Sequence, residues 1–353
     1  MRASPLARIL LGIYAALIVY ASLHPLGWVS HGQGPFDYLF APWPQWVGAF
    51  DVSVNILGYA PYGFLAVGAV HPRLRGAAAV AAAVLSATAL SILLEGAQSY
   101  VPTRFASNVD VVSNVAGAAL GAWAAQRLLP WMGEQHALQR LRAAFLQGVT
   151  GDLGLALIGL WLFTQLNPAS LLFGTGDLRD LVMPHQVSLR APEFFVWIEA
   201  LTAAANLAAV GLLVSALLIG KRPVSRALLV LVVAALAVKT GAFALLTRGD
   251  ALAWVTRGAQ YGLAVGLAIA FAGAALPRTL RLALAAVFVM AATALVNAAP
   301  PNPYFSATLR LWQQGHFLNF NGLTRLVSAA WPFVALAYLI FLSSRRTTPD
   351  APK

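Results

Sequence analysis

SILLEGAQSYVPTRFASNVDVVSNVAGAALG, residues 91–121, is the end of one apolar run, a short polar turn and the start of the next. It gathers Glu95, Gln98, Arg104, Asn108, Asp110 and Asn114 in a chain that spends charge sparingly. Of 353 residues, 59% are hydrophobic and only 10% are Asp, Glu, Lys or Arg. Soluble domains are about 25% charged, so this composition belongs in a membrane. The net charge of +11 would suit nucleic acid if the basic residues were clustered. They stand singly or in pairs between apolar runs, as in cytoplasmic loops, and no nucleic-acid partner is expected. There is no cysteine, hence no disulfide, thiolate metal site or cysteine nucleophile.

Working outward, apolar runs occupy 9–23, 54–70, 77–97, 109–128, 153–167, 194–219, 227–247, 251–275, 279–297 and 326–343. A crossing helix needs about 20 residues. The expectation is therefore an all-α, polytopic integral membrane helix bundle of about ten transmembrane helices. Residues 9–23 follow Arg2 and Arg8 and read as an uncleaved anchor. Four domains are expected: a four-helix transmembrane domain over 1–130, a linker over 131–150, a second bundle of about six helices over 151–343, and a disordered tail over 344–353. In the linker, Trp131, Leu138, Leu141 and Phe145 fall near one helical face, as in a cytoplasmic helix lying on the membrane.

Alternate loops divide the basic residues roughly two to one, with Arg73, Arg75, Lys221, Arg222, Arg278 and Arg281 on the richer side. Both termini are then cytoplasmic. The long loops at 24–50, 168–193 and 298–325 fall outside. The first has no Lys or Arg and carries Trp28, Phe36, Tyr38, Phe40, Trp43 and Trp46, which suits the headgroup level.

A motif repeats. Asp51-Val-x-x-Asn55-x-x-Gly58 returns as Asp110-Val-x-x-Asn114-x-x-Gly117, each time at a helix that starts from the outside. Positions i, i+4 and i+7 share a helical face. Each helix is expected to present a carboxylate at its mouth, an amide one turn deeper and a glycine for close packing. Gly117-x-x-x-Gly121 continues that small face. A structural reading competes: acids at helix starts satisfy free N–H groups and complement the dipole.

Glu95 follows Ile92-Leu93-Leu94 in the last turns of its span. A charge there costs about 1–3 kcal/mol unless paired or wetted. Gln98 shares its face, Pro102 fixes the reversal, and Arg104 is placed to fold back bidentately onto Glu95 or Asp110.

Three segments, YASLHP (20–25), DVSVNILGYAPYGF (51–64) and LLEGAQSYVPTRFASNVDVVSNVAGAALG (93–121), together resemble the VanZ-like family over about residues 8–130. On that resemblance Asp51, Asn55, Gly58, Pro61, Gly63, Glu95, Gln98, Arg104, Asp110, Asn114, Gly117 and Gly121 occupy the family's motif positions. The glycines and Pro61 are assigned to helix packing and the others to a polar site. The resemblance implies a bacterial envelope protein of the inner, cytoplasmic membrane, in a family whose founding member is associated with reduced susceptibility to teicoplanin. Residues 150–345 exceed the shorter members.

In that second half, Glu199 and Lys239 lie inside apolar runs at similar depth, and a pair between adjacent helices is expected, with Asn206 able to join. The six histidines show no metal-ligand spacing. No phosphate loop or Gly-x-Ser-x-Gly elbow occurs, so no metal or cofactor is expected. His316 and Arg310 read as interfacial residues.

Three functions fit. One is a binder of an amphiphile (a membrane lipid, a lipid-linked sugar or a lipoglycopeptide) in a polar pocket at the outer leaflet. Another is an intramembrane enzyme using Glu95 and Asp110 as acid and base, with Arg104 stabilising an anion. The last is a secondary transporter built on the repeated motif. Because the chain lacks cysteine, single cysteines placed in 24–50 or 298–325 give a clean test of topology. An impermeant reagent should label them from outside, and labelling only from the cytoplasmic side rejects the orientation.

Overall fold

The computed structural model describes residues 5–29, 34–134, 142–179, 190–219, 224–246, 250–300, 302 and 318–345. Ten α-helices and no strand occur among them. They are α1 Pro5–Leu23, α2 Ala49–Val70, α3 Gly76–Gln98, α4 Asn108–Glu134, α5 Gly148–Thr164, α6 Pro192–Leu217, α7 Val224–Leu246, α8 Arg257–Ala274, α9 Arg278–Ala298 and α10 Leu318–Ser344. Seven of these are long and apolar enough to cross a membrane by length and composition: α1, α2, α3, α6, α7, α9 and α10. The chain is a multi-pass helical membrane protein. The helices α4 and α8 carry more polar and glycine residues than the others, and α5 is a shorter apolar helix.

The chain divides into two compact units, Met1–Ala143 and Ala144–Lys353. Most of the expected linker helix, residues 135–141, lies outside the described residues. Helix α4 runs on to Glu134 and α5 begins at Gly148. Between them Phe145 pairs in an isolated bridge with Leu218. The loop residues Asp180, His185, Arg310 and His316 and the tail from residue 346 also lie outside the described residues.

In the first unit the governing contact is α2 against α4. A Cβ on Gly117 would fall on the Ile56 carbonyl, one on Gly121 on the Ala60 carbonyl, and one on Gly63 on the Ala118 carbonyl. Backbone therefore meets backbone, which only glycine permits at these positions. Helix α3 joins through a stripe of small residues four apart. Ala79, Ala83, Ala87, Ser91 and Glu95 are all buried, and across from them lie buried Ala118, Ala122 and Ala125. Apolar residues on other faces, such as Leu57, Leu85 and Leu93, stay exposed, as lipid-facing positions should. Helix α1 is tied on by Tyr14, whose hydroxyl donates to the Gly58 carbonyl at 2.8 Å, and by Arg8 to Ala69 at 3.1 Å.

Two packing expectations are corrected here. Gly58 has nothing within 4 Å of where a Cβ would sit, and Pro61 is exposed. The face that meets α4 is set by Ile56, Ala60 and Gly63, so neither of those two positions lies in the contact.

The second unit is built around α6, which is buried almost throughout its length. Helix α8 approaches it by the same device. A Cβ on Gly258, Gly262 or Gly266 would crowd the carbonyls of Val196, Ala200 and Ala204 in turn. Helix α9 buries Leu282, Ala285, Val289, Ala292 and Val296. Its first turn also supplies Arg278 and Arg281, which donate to the Ala216 and Ser215 carbonyls at 3.2 and 2.6 Å. Cations thus satisfy free carbonyls at the negative end of α6. Helix α10 is held to α5 by Trp331 to the Leu157 carbonyl at 2.9 Å and Tyr338 to the Thr150 carbonyl at 2.8 Å.

These contacts separate two glycines of one motif. Gly121→Leu should cost about 1–3 kcal/mol or more, as overpacking does, and lower the thermal midpoint in detergent. Gly58→Ala should be neutral or stabilising by up to about 1 kcal/mol. Equal effects at the two positions would contradict the α2–α4 contact.

Candidate functional site

The small stripe on α3 decides where Glu95 goes. Because Ala79, Ala83, Ala87 and Ser91 face the interior, the next position on the stripe does too, and Glu95 is 4% exposed. Its Oε2 accepts the Ser107 N–H at 3.0 Å. Ser107 in turn accepts the Val109 N–H on its hydroxyl at 3.2 Å. Glu95 therefore orients the residue that caps α4, and satisfies an N–H that the helix start leaves free.

Asp110 sits in the first turn of α4 and accepts from Asn55 Nδ2 of α2 at 2.9 Å. The carboxylates of Glu95 and Asp110 repel one another, as do those of Asp110 and Asp51. One turn deeper on α4, Asn114 Nδ2 donates to Ser91 Oγ at 3.0 Å, and Tyr59 of α2 also reaches Ser91. Asn114 Oδ1 is buried and has no hydrogen-bond partner. The repeated motif thus delivers its two acids and two amides to one region, although Asp51 stays exposed.

Arg104 departs from its expected role. It makes no ion pair within 4 Å with Glu95 or Asp110. Its Nη2 donates to the Ala21 carbonyl at 2.8 Å, and Gln98 Nε2 donates to the Ser22 carbonyl at 3.1 Å. Both carbonyls belong to the last turn of α1, where unsatisfied acceptors at the negative helix end attract donors. The helix end takes the guanidinium that the acids were expected to take. Burial draws the Arg104 pKa below its ordinary value, and the charges of Glu95 and Asp110 oppose that. The group remains a cation at physiological pH.

Over this cluster lies the loop before α2. It can approach α3 because Gly96 has no side chain: a Cβ there would press on Pro35 and Phe36. Residues Asp37–Phe40 form a 3₁₀ turn. Tyr38 is buried and donates to the Ile92 carbonyl at 3.0 Å, and Asn108 Nδ2 donates to the Ala41 carbonyl at 2.8 Å. Burial, with a contribution from the charge of Glu95, pushes the Tyr38 phenol up to about 12. Around this anchored turn the aromatics face outward. Trp46 is 91% and Phe40 90% exposed, and Trp28, Trp43 and Phe105 are also exposed.

The second unit contains a separate polar region. Helix α5 stops at Thr164, and irregular backbone follows to Arg179 with Gln165, Asn167, Phe173, Thr175 and Gly176 buried. Non-helical backbone is tolerated inside a membrane protein when protein groups satisfy it, and they do. Lys239, fully buried, donates to the Asn167 and Ser170 carbonyls at 2.8 and 2.7 Å and to Ser170 Oγ at 3.1 Å. Asn297 receives the Leu178 N–H and donates to the Gly176 carbonyl. The Gly176 N–H donates to the Ser328 carbonyl at 2.8 Å. That carbonyl is free because Pro332, four residues on in α10, has no N–H to give it.

The expected Glu199–Lys239 contact pair is therefore not formed. The two attract one another, but the ammonium is already engaged by loop oxygens. Glu199 lies instead beside Thr256 and over Gly258, at the start of α8. Asn206 joins neither of them: it accepts from Thr175 Oγ1 at 3.0 Å. Two signals available in the sequence point to this arrangement, the Gly258-x-x-x-Gly262-x-x-x-Gly266 spacing and Pro332 inside an apolar run.

Residues 9–129 match the family model of VanZ/LLP1. This stretch is VanZ-like and contains every residue of the first cluster. No curated protein and no solved structure matches the chain.

At the loop's end, Asp177 and Arg179 form a bidentate pair with oxygen–nitrogen distances of 2.9 and 2.6 Å. Burial pushes the Asp177 carboxyl up, but the hydrogen bonds and charge of Arg179 outweigh it and hold it below the ordinary 3.8. A depressed carboxylate stabilises the fold above its unfolded pKa, and loses that effect as pH falls through the folded value. Both side chains are partly exposed, so the contribution is at most about 1 kcal/mol. Asp177→Asn should lower the thermal midpoint slightly at pH 7, and the difference from the parent chain should shrink and disappear as pH falls through the depressed folded value.

Proposed function

We propose that the VanZ-like segment binds an amphiphile at the bacterial cytoplasmic membrane, with its polar end in the Glu95–Arg104–Asp110 cluster. The observation that supports this most is the pairing of two environments at one end of α2, α3 and α4. Acids, amides and a guanidinium lie inward, and a rim of exposed aromatics lies around them. Exposed Trp and Phe suit the headgroup boundary, and a small number of polar groups beneath an apolar surround suits a ligand with a polar head.

The distribution of basic residues supports the outer leaflet for this end and a cytoplasmic side for both termini. The ligand class is an envelope lipid, a lipid-linked precursor or a lipoglycopeptide. The family resemblance suggests a link to teicoplanin-type resistance as part of this proposal. The acid–base alternative draws less support. Glu95 Oε2 is engaged by Ser107 and Asp110 Oδ1 by Asn55.

Native mass spectrometry of the detergent-purified full chain should reveal a retained lipid-like mass. A fluorescent lipoglycopeptide or lipid-linked sugar should bind with an affinity that falls about tenfold or more in Glu95→Gln and Asp110→Asn. Circular dichroism should show the helices intact in both variants. Unaltered retention and binding in both would refute the placement of the ligand.

A further inference from the structure

In the first cluster acidic side chains outnumber basic ones. Three carboxylates, Glu95, Asp110 and Asp51, share the region with one guanidinium, Arg104. Glu95 and Asp110 each receive a single neutral donor, from Ser107 and Asn55. Among the described residues no cation lies within ion-pairing distance of any of the three. Buried or half-buried acids in a membrane protein call for a positive partner.

A second, independent sign points the same way. Asn114 is 5% exposed, and its Oδ1 has no donor. It lies one turn below Asp110, against Ser91, which lies one turn below Glu95. The floor of the cluster is thus an acceptor without a partner, under a wall of acceptors.

Arg104 has the opposite need. A guanidinium carries five N–H groups, and the hydrogen bond it makes is to Ala21. The remaining N–H groups can receive an anion, and the planar fork suits phosphate or carboxylate.

We infer that the cluster takes a zwitterionic headgroup, a primary ammonium set against the carboxylates and Asn114, and a phosphate on Arg104. A phosphoethanolamine-type lipid head has that chemistry. Phosphatidylglycerol lacks the ammonium, and the choline head lacks N–H donors. The aromatic rim would lie along the glycerol and upper acyl chains. The inference rests on the amphiphile-binding reading and sharpens it from any amphiphile to one charge pattern.

The test titrates the full chain in detergent micelles with short-chain phosphatidylethanolamine, phosphatidylglycerol and phosphatidylcholine, and reads tryptophan fluorescence from the rim. Phosphatidylethanolamine should bind about tenfold tighter than the other two. Asp110→Asn, and the exposed Asp51→Asn as a variant with little burden on folding, should weaken phosphatidylethanolamine alone. Arg104→Met should weaken all three lipids together, since each carries the phosphate. Free phosphoethanolamine should compete if the head itself is read, and its failure to compete at any concentration would count against head recognition. Tightest binding of phosphatidylglycerol would overturn the inference. Equal binding of all three lipids, with every affinity reduced by Glu95→Gln, would overturn it while leaving the amphiphile reading intact. No binding of any lipid or lipoglycopeptide would remove both.

Discussion

Backbone meeting backbone is the constraint on which both units depend. In lipid there is no hydrophobic drive between helices, so association rests on close van der Waals packing and a few polar contacts. The chain meets that demand by the same means in each unit. A helix brings carbonyls of small or β-branched residues against glycines four apart on a second helix: Ile56 and Ala60 against Gly117 and Gly121, and Val196, Ala200 and Ala204 against Gly258, Gly262 and Gly266. In both cases the two helices are separated in the chain by one other, which lets them run parallel. The polar groups gather at the starts of these pairs, where α4 and α8 leave N–H groups free.

Buried polar side chains in this protein mostly serve the chain's own broken ends. Gln98 and Arg104 satisfy the end of α1, Arg278 and Arg281 the end of α6, and Glu95 the approach to α4. Lys239 and Asn297 hold the irregular stretch after α5. What distinguishes the first cluster is a remainder. After these structural duties are met, its acids outnumber its cations and one amide oxygen has no partner.

Much of this was legible before any coordinates. Runs of apolar residues located all ten helices to within a few positions, except that α8 starts later than its run, α10 starts earlier and α4 continues past the end of its own. Residues 91–121 located the cluster, because charge is rare enough here that each acid stands out. Partner choice was less legible. A count of charges pairs Arg104 with Glu95 and Lys239 with Glu199. In the fold, helix-end and loop carbonyls compete for those cations, and sequence patterns do not display where carbonyls point. Gly58 misled for a related reason: its place in the repeated motif matches Gly117, but α2 and α4 present different faces to each other, so equivalent positions are not equivalent contacts.

The proline in α10 has a mechanical corollary. The hydrogen bond that Pro332 withholds from its own helix is transferred to Gly176 of a different segment. Bending of α10 about that proline must stretch or relax the link to the loop, whose other fastenings run to Lys239 and Asn297. A hinge and a tether thus share a single oxygen atom, so motion of either is transmitted to the other.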